Sequence, residues 1–227
     1  MTISLPFNHE RLKKRPYTLG ELVADGLVHG AAILAAVVGL AVLILLVALR
    51  GDGPALAATI VYAGCLLAML CFSAAYNMTP VSPLKWLFRR FDHVGIFLAI
   101  AGTYTPLVIQ FTDSFWAWTL GVTVWVGAIA GSVLKLALPG RYEKLSVAAY
   151  LALGWVAVLA IKPMFESLPL ASFVLVVVGG LIYSTGVIFY KWHSLNFQNA
   201  IWHGFVTVAA ACHFAAVAIS VTPATAG

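Results

Sequence analysis

Arg89-Arg90-Phe91-Asp92-His93-Val94-Gly95-Ile96, continuing through Leu98-Ala99-Ile100-Ala101-Gly102-Thr103-Tyr104-Thr105-Pro106, reads as a basic loop that runs into an apolar helix. A carboxylate and an imidazole stand side by side where the two meet, so the third span is expected to open at Phe91. An ionisable side chain within a membrane span costs about 3 kcal/mol even on lenient scales, so such residues face the bundle interior and mark a site. Asp92 is therefore the first candidate functional residue. His93, its neighbour, points elsewhere on the helix and is expected at a loop or interface.

Working outward, the same apolar character covers the chain. Of 227 residues, 62% are hydrophobic and 9% charged, where a soluble domain carries about a quarter charged residues. Crossing a bilayer core takes roughly 20 helical residues, and stretches of that order recur at 26–49, 55–76, 91–111, 115–136, 145–161, 170–190 and 200–221. Turn-forming clusters separate them: Gly51-Asp52-Gly53-Pro54, Thr79-Pro80-Val81-Ser82-Pro83, Thr112-Asp113-Ser114, Pro139-Gly140-Arg141, Pro163 to Pro169, and His193-Ser194-Leu195-Asn196. The expected fold is an all-α, polytopic seven-helix bundle. Residues 1–25 form an N-terminal segment, 26–222 the membrane domain and 223–227 a short tail. The first seventeen residues lack the order of regions that a cleaved secretory signal requires, so the first span is expected to be retained.

Lys and Arg set the orientation. Arg11, Lys13, Lys14, Arg15, Lys85, Arg89, Arg90, Lys135, Arg141, Lys144 and Lys191 fall on one side and Arg50 and Lys162 on the other. The positive-inside rule puts the N-terminus in the cytoplasm and the C-terminus outside. The net charge of +5 sits in short loops rather than on a solvated basic face, which excludes nucleic acid as a partner. Membrane lipid is the expected partner. Trp86, Trp116, Trp118 and Trp192 fit interfacial belts. Cys65, Cys71 and Cys212 show no paired spacing and read as packing residues. Gly26 with Gly30, and Gly127 with Gly131, have the small-residue spacing that permits close helix approach.

Four spans offer polar groups at one depth. Glu21, Asp25 and His29 share a face of the first through their four-residue spacing, as do Ser73 and Asn77 in the second and Asn199 and His203 in the seventh. Asp92 joins them from the third. Together they predict a polar cavity near the cytoplasmic end. His213, deeper in the last span, reads as a hydrogen-bonded packing residue.

Glu21 with His29-Gly30, Ser73 three residues before Tyr76, the run from Arg90 to Pro106, Gly180-Leu181-Ile182-Tyr183 with Gly186, and Ala200-Ile201-Trp202-His203 resemble the haemolysin III family. That family belongs to the PAQR superfamily, with the adiponectin receptors. The resemblance implies a bacterial inner-membrane protein with a zinc ion in the cytoplasmic half of the bundle. The ion would be held by a His four residues after the span-two Ser and by an HxxxH pair opening span seven, with the span-three Asp acting through a bound water. The resemblance implies that such a site would polarise water for hydrolysis of a lipid amide or ester.

This chain departs from that pattern. Asn77 and Asn199 stand where two of the three His ligands belong, leaving His203, and Asp25 stands where the resemblance implies an amide. Two outcomes follow. Either a hydrogen-bonded polar core survives without metal, or His29, Asp25 and Asp92 join His203 around zinc or a harder divalent ion. In an enzyme, Asp92 is the expected general base, His203 a metal ligand or acid partner, and Ser73 a donor to the developing oxyanion. The other readings are a non-catalytic sensor of membrane state and an oligomeric pore or cytolysin.

Overall fold

The computed structural model describes residues 17–138 and 141–222. The N-terminal basic residues Arg11 to Arg15 with His9, the Pro139-Gly140 break and the tail from 223 lie outside the described residues. Eight α-helices follow in order: α1 Leu19–Leu49, α2 Gly53–Met78, α3 Pro83–Val108, α4 Ser114–Ala137, α5 Glu143–Gly154, α6 Ile161–Ser167, α7 Leu170–Lys191 and α8 Gln198–Val221. A 3-10 segment, Val156–Ala160, joins α5 to α6. Taken as one broken span, Glu143–Ser167 brings the helices long and apolar enough to cross a membrane to seven.

Polar caps, not the first apolar residues, set where α1 to α4 begin. Thr18 and Glu21 form a reciprocal capping box at the start of α1. Ser82 caps α3 through the Lys85 amide, with Pro83 at the first helical position. Asp52 and Asp113 cap α2 and α4. Two spans therefore start earlier than their apolar runs suggest, at Leu19 rather than Gly26 and at Pro83 rather than Phe91. Asp92 consequently sits well inside α3. Trp86 moves inward with it: at 5% exposure it packs against Tyr76 rather than in an interfacial belt, whereas Trp118 and Trp192 are exposed.

Spans joined by short connections alternate in direction. The starts of α1, α3, α5 and α8 share one end of the bundle with the last turns of α2, α4 and α7. Among the described residues that end carries Lys85, Arg89, Arg90, Lys135, Arg141, Lys144 and Lys191, against Arg50 and Lys162 at the other. It is the basic end.

Lipid is as apolar as leucine, so close packing rather than water exclusion holds the helices together. Glycines provide the fit. A Cβ on Gly95 would stand 2.9 Å from the Met69 Cα, and one on Gly102 would collide with Cys65, which brings α3 against the α2 backbone. Gly131 receives the Phe97 ring and Gly127 the Leu153 side chain, so that glycine pair is used inside the bundle. Gly26 meets the Met78 sulfur, while Gly30 faces open space. His213 donates from Nε2 to the Val176 carbonyl (3.2 Å) and lies on Gly179, the packing role expected of it.

The break in the fifth span is stitched by one residue. Tyr104 of α3 donates its hydroxyl to the Gly154 carbonyl (2.8 Å) and accepts from the Ala157 amide (3.1 Å). Backbone groups released by the 3-10 segment are thereby satisfied where water is scarce.

Candidate functional site

Near the basic end, Asp25, His29 and His203 are buried at 2%, 5% and 8% exposure. The spacing of Asp25 and His29 on α1 lets the His29 ring fold back over one turn, where Nδ1 donates to the Asp25 main-chain carbonyl at 2.9 Å. That oxygen can only accept, so the His29 proton is on Nδ1. His203, from the first turns of α8, places Nδ1 2.5 Å from Asp25 Oδ1. A carboxylate acceptor likewise fixes the proton on Nδ1. Both imidazoles therefore present Nε2 lone pairs, and both aim them at Ser73 Oγ on α2, at 3.3 Å from His29 and 3.5 Å from His203. The two rings meet edge to face with centroids 4.2 Å apart.

Asn77 and Asn199 extend the network. Asn77 Nδ2 donates to the Ser73 carbonyl at 2.9 Å and lies 3.5 Å from Ser73 Oγ. Asn199 Nδ2 donates to Asn77 Oδ1 (3.4 Å), and Tyr17 donates its hydroxyl to Asn199 Oδ1 (3.2 Å). These amides lock α2 to α8.

Ser73, Asn77, Asp92, Asn199, His29 and His203 line one cavity of about 380 Å³, within the range of small-molecule sites. Its remaining wall is largely apolar, including Tyr62, Leu66, Met69, Ile96, Ile100 and Ala210. Asp92 reaches it from α3. His93, also on the wall, belongs to α3 rather than to a loop: its Nδ1 donates to the Arg89 carbonyl at 2.6 Å. Asp25 stands behind the two imidazoles and does not line the cavity.

Glu21 is placed apart from the other candidates. Its Oε1 accepts from the Phe197 amide (2.8 Å) and its Oε2 from the Thr18 amide (2.9 Å), clasping the start of α1 to the turn before α8. Phe197 adopts φ 57° there. Several wall residues carry no signal in the sequence. Arg89 of α3 pairs with Glu143 of α5 across the cavity wall, and Tyr62, Tyr150, Tyr183 and Tyr190 also line it. An aromatic at an apolar position of a span looks like packing until its neighbours are known.

The haemolysin-III related family model matches residues 21–214. The chain belongs to the haemolysin III family. Hemolysin-3 of Bacillus cereus is 33% identical over 214 residues, covering 94% of this chain and 98% of that protein. The Hemolysin-3 homolog of Bacillus subtilis is 33% identical over 198 residues, covering 87% and 93%. The human monocyte to macrophage differentiation factor is 27% identical over 144 residues, 63% of this chain and 59% of its own length, and it carries the likeness into the PAQR superfamily.

The donor set differs from the one that the resemblance implies. The three-His zinc arrangement implied by the resemblance does not fit, because positions 77 and 199 hold amides bonded to one another. A different group is present: the ligand atoms of Asp25, His29 and His203 lie within 4.8 Å of one another, close enough to hold a metal ion. Asp92 is outside that group.

Proposed function

We propose that this protein is a membrane-embedded hydrolase that cleaves an ester or amide bond of a membrane lipid. The observation that carries this reading is that four proton-handling groups, Ser73, Asp92, His29 and His203, line one cavity whose remaining wall is largely apolar. The apolar wall suits an acyl chain. The polar groups exchange protons with a water and a leaving alcohol or amine. The charge asymmetry of the ends supports a cytoplasmic-side site in the plasma membrane.

The test is release of free fatty acid from defined phospholipids and ceramides by the purified protein in liposomes. Release by the wild type and its loss in Asp92→Ala supports the reading; no release from any lipid class rejects it and leaves lipid sensing.

One observation favours a second reading, in which a divalent ion sits at Asp25, His29 and His203: the ligand atoms of these three buried residues lie within 4.8 Å of one another. Such an ion would activate water. A stoichiometric metal content that is lost in His203→Ala supports it, and metal at background rejects it.

A further inference from the structure

We propose that Ser73 is a covalent nucleophile, driven by His203 and oriented by Asp25. This deepens the hydrolase reading and rests on it for the nature of the substrate. By sequence Ser73 reads as an oxyanion donor, but its surroundings are those of an attacking group. Asp25 Oδ1 takes the Nδ1 proton of His203 at 2.5 Å, and the opposite nitrogen of the same ring lies 3.5 Å from Ser73 Oγ. Carboxylate, imidazole and hydroxyl in that order, with the ring tautomer fixed from behind, form the relay of serine hydrolases. A separation of 3.5 Å is loose for a hydrogen bond, and such pairs are commonly loose before substrate enters. The competing base, His29, has its Nδ1 3.6 Å from the same carboxylate oxygen and bonded to a main-chain carbonyl instead. Asp25 thus holds His203 at 2.5 Å and His29 only at 3.6 Å, and the closer carboxylate assigns the base to His203.

The departure from the metal pattern that the resemblance implies becomes coherent on this view. Asn77, where the resemblance implies a metal ligand, directs an amide nitrogen beside Ser73 Oγ. Its orientation is fixed because the Ser73 carbonyl can only accept. That nitrogen is in position to donate to the oxyanion that forms next to the attacked carbon. Asp25, where the resemblance implies an amide, supplies the charge that His203 needs. Loss of metal ligands and gain of a carboxylate then belong to one exchange.

The chemistry balances. Ser73 Oγ attacks the acyl carbonyl while its proton passes to His203 Nε2. The tetrahedral adduct collapses, the C–O or C–N bond breaks, and the Nε2 proton leaves with the alcohol or amine. A water then gives a proton to His203 Nε2 and attacks the acyl-serine, and Ser73 leaves with that proton, releasing the carboxylic acid.

A long-chain alkyl fluorophosphonate tests this directly, because Ser attack on phosphorus expels fluoride and leaves a phosphonylated residue. The full-length protein in detergent is expected to be labelled once, at Ser73 by peptide mass spectrometry, with chelator present or absent. Ser73→Ala should abolish labelling. His203→Gln should slow it about 10³-fold or more, and Asp25→Asn about 10²- to 10⁴-fold with unchanged half-saturation by the probe. That rate-only loss is one a merely structural role for Asp25 would not give. Thermal unfolding of each variant in detergent shows that it is folded.

Labelling elsewhere, equal labelling of Ser73→Ala, or loss in His29→Gln but not in His203→Gln overturns the relay. Lipid hydrolysis that persists in folded Ser73→Ala and stops with chelator overturns it while leaving the hydrolase reading intact. Labelling at Ser73 without release of fatty acid from any lipid rejects the hydrolase reading and leaves the relay.

Discussion

His203 is held from behind by Asp25 and faces Ser73 in front, so substitutions around it should separate cleanly. Asp92 lines the same cavity from another helix. In Asp92→Ala, lipid turnover is expected to fall about 10²-fold or more, with thermal unfolding in detergent and fluorophosphonate labelling of Ser73 unchanged. Glu21 should behave in the opposite way. Glu21→Ala removes a cap and the acceptor for the Phe197 amide, lowering stability by about 1–2 kcal/mol, while Ser73 labels at its usual rate at temperatures where the protein stays folded. At this scale the sequence was informative about which residues share a helix face, because a four-residue spacing settles that. It said nothing of which nitrogen of His203 meets which oxygen, since rotation of one span against another leaves no trace in spacing. Glu21 was misleading for the same reason: a carboxylate on the right face proved to belong to a cap one turn too early.

Helices are the next scale, and their glycines divide into those that are pressed and those that are free. Gly95 lies against the α2 backbone at Met69, where nothing can move aside. Gly95→Val is expected to destabilise the bundle by about 1–3 kcal/mol through overpacking. Gly30, with open space around its Cα, should tolerate Gly30→Ala and gain about 0.5–1 kcal/mol from helix propensity. Thermal unfolding in one detergent compares the two. The apolar runs disclosed how many spans there are, but not where α1 and α3 begin, because Thr18 and Ser82 extend the helices into polar sequence. The interruption after Gly154 was invisible for a different reason. Val156–Ala160 is as apolar as any helix, and its contact with Tyr104 helps explain how it can depart from helical bonding.

For the whole molecule, the basic end makes a prediction about sidedness. With Cys65, Cys71 and Cys212 replaced, a membrane-impermeant thiol reagent should label Asp52→Cys in intact cells and Lys144→Cys only after the cells are opened; the reverse would invert the bundle. The stitch at Tyr104 has a bearing on biogenesis. A fifth span made of two short helices is a weaker unit to insert than a continuous one, and its exposed amide and carbonyl need a partner as soon as they leave water. Synthesis runs from the N-terminus, so α3 and its hydroxyl are already in the bilayer when Gly154 and Ala157 emerge. The third span thus acts as a template for the fifth. Tyr104→Phe is expected to lower the yield of correctly inserted protein, read as protease-resistant material in membranes, more than it lowers the unfolding temperature of the molecules that complete assembly.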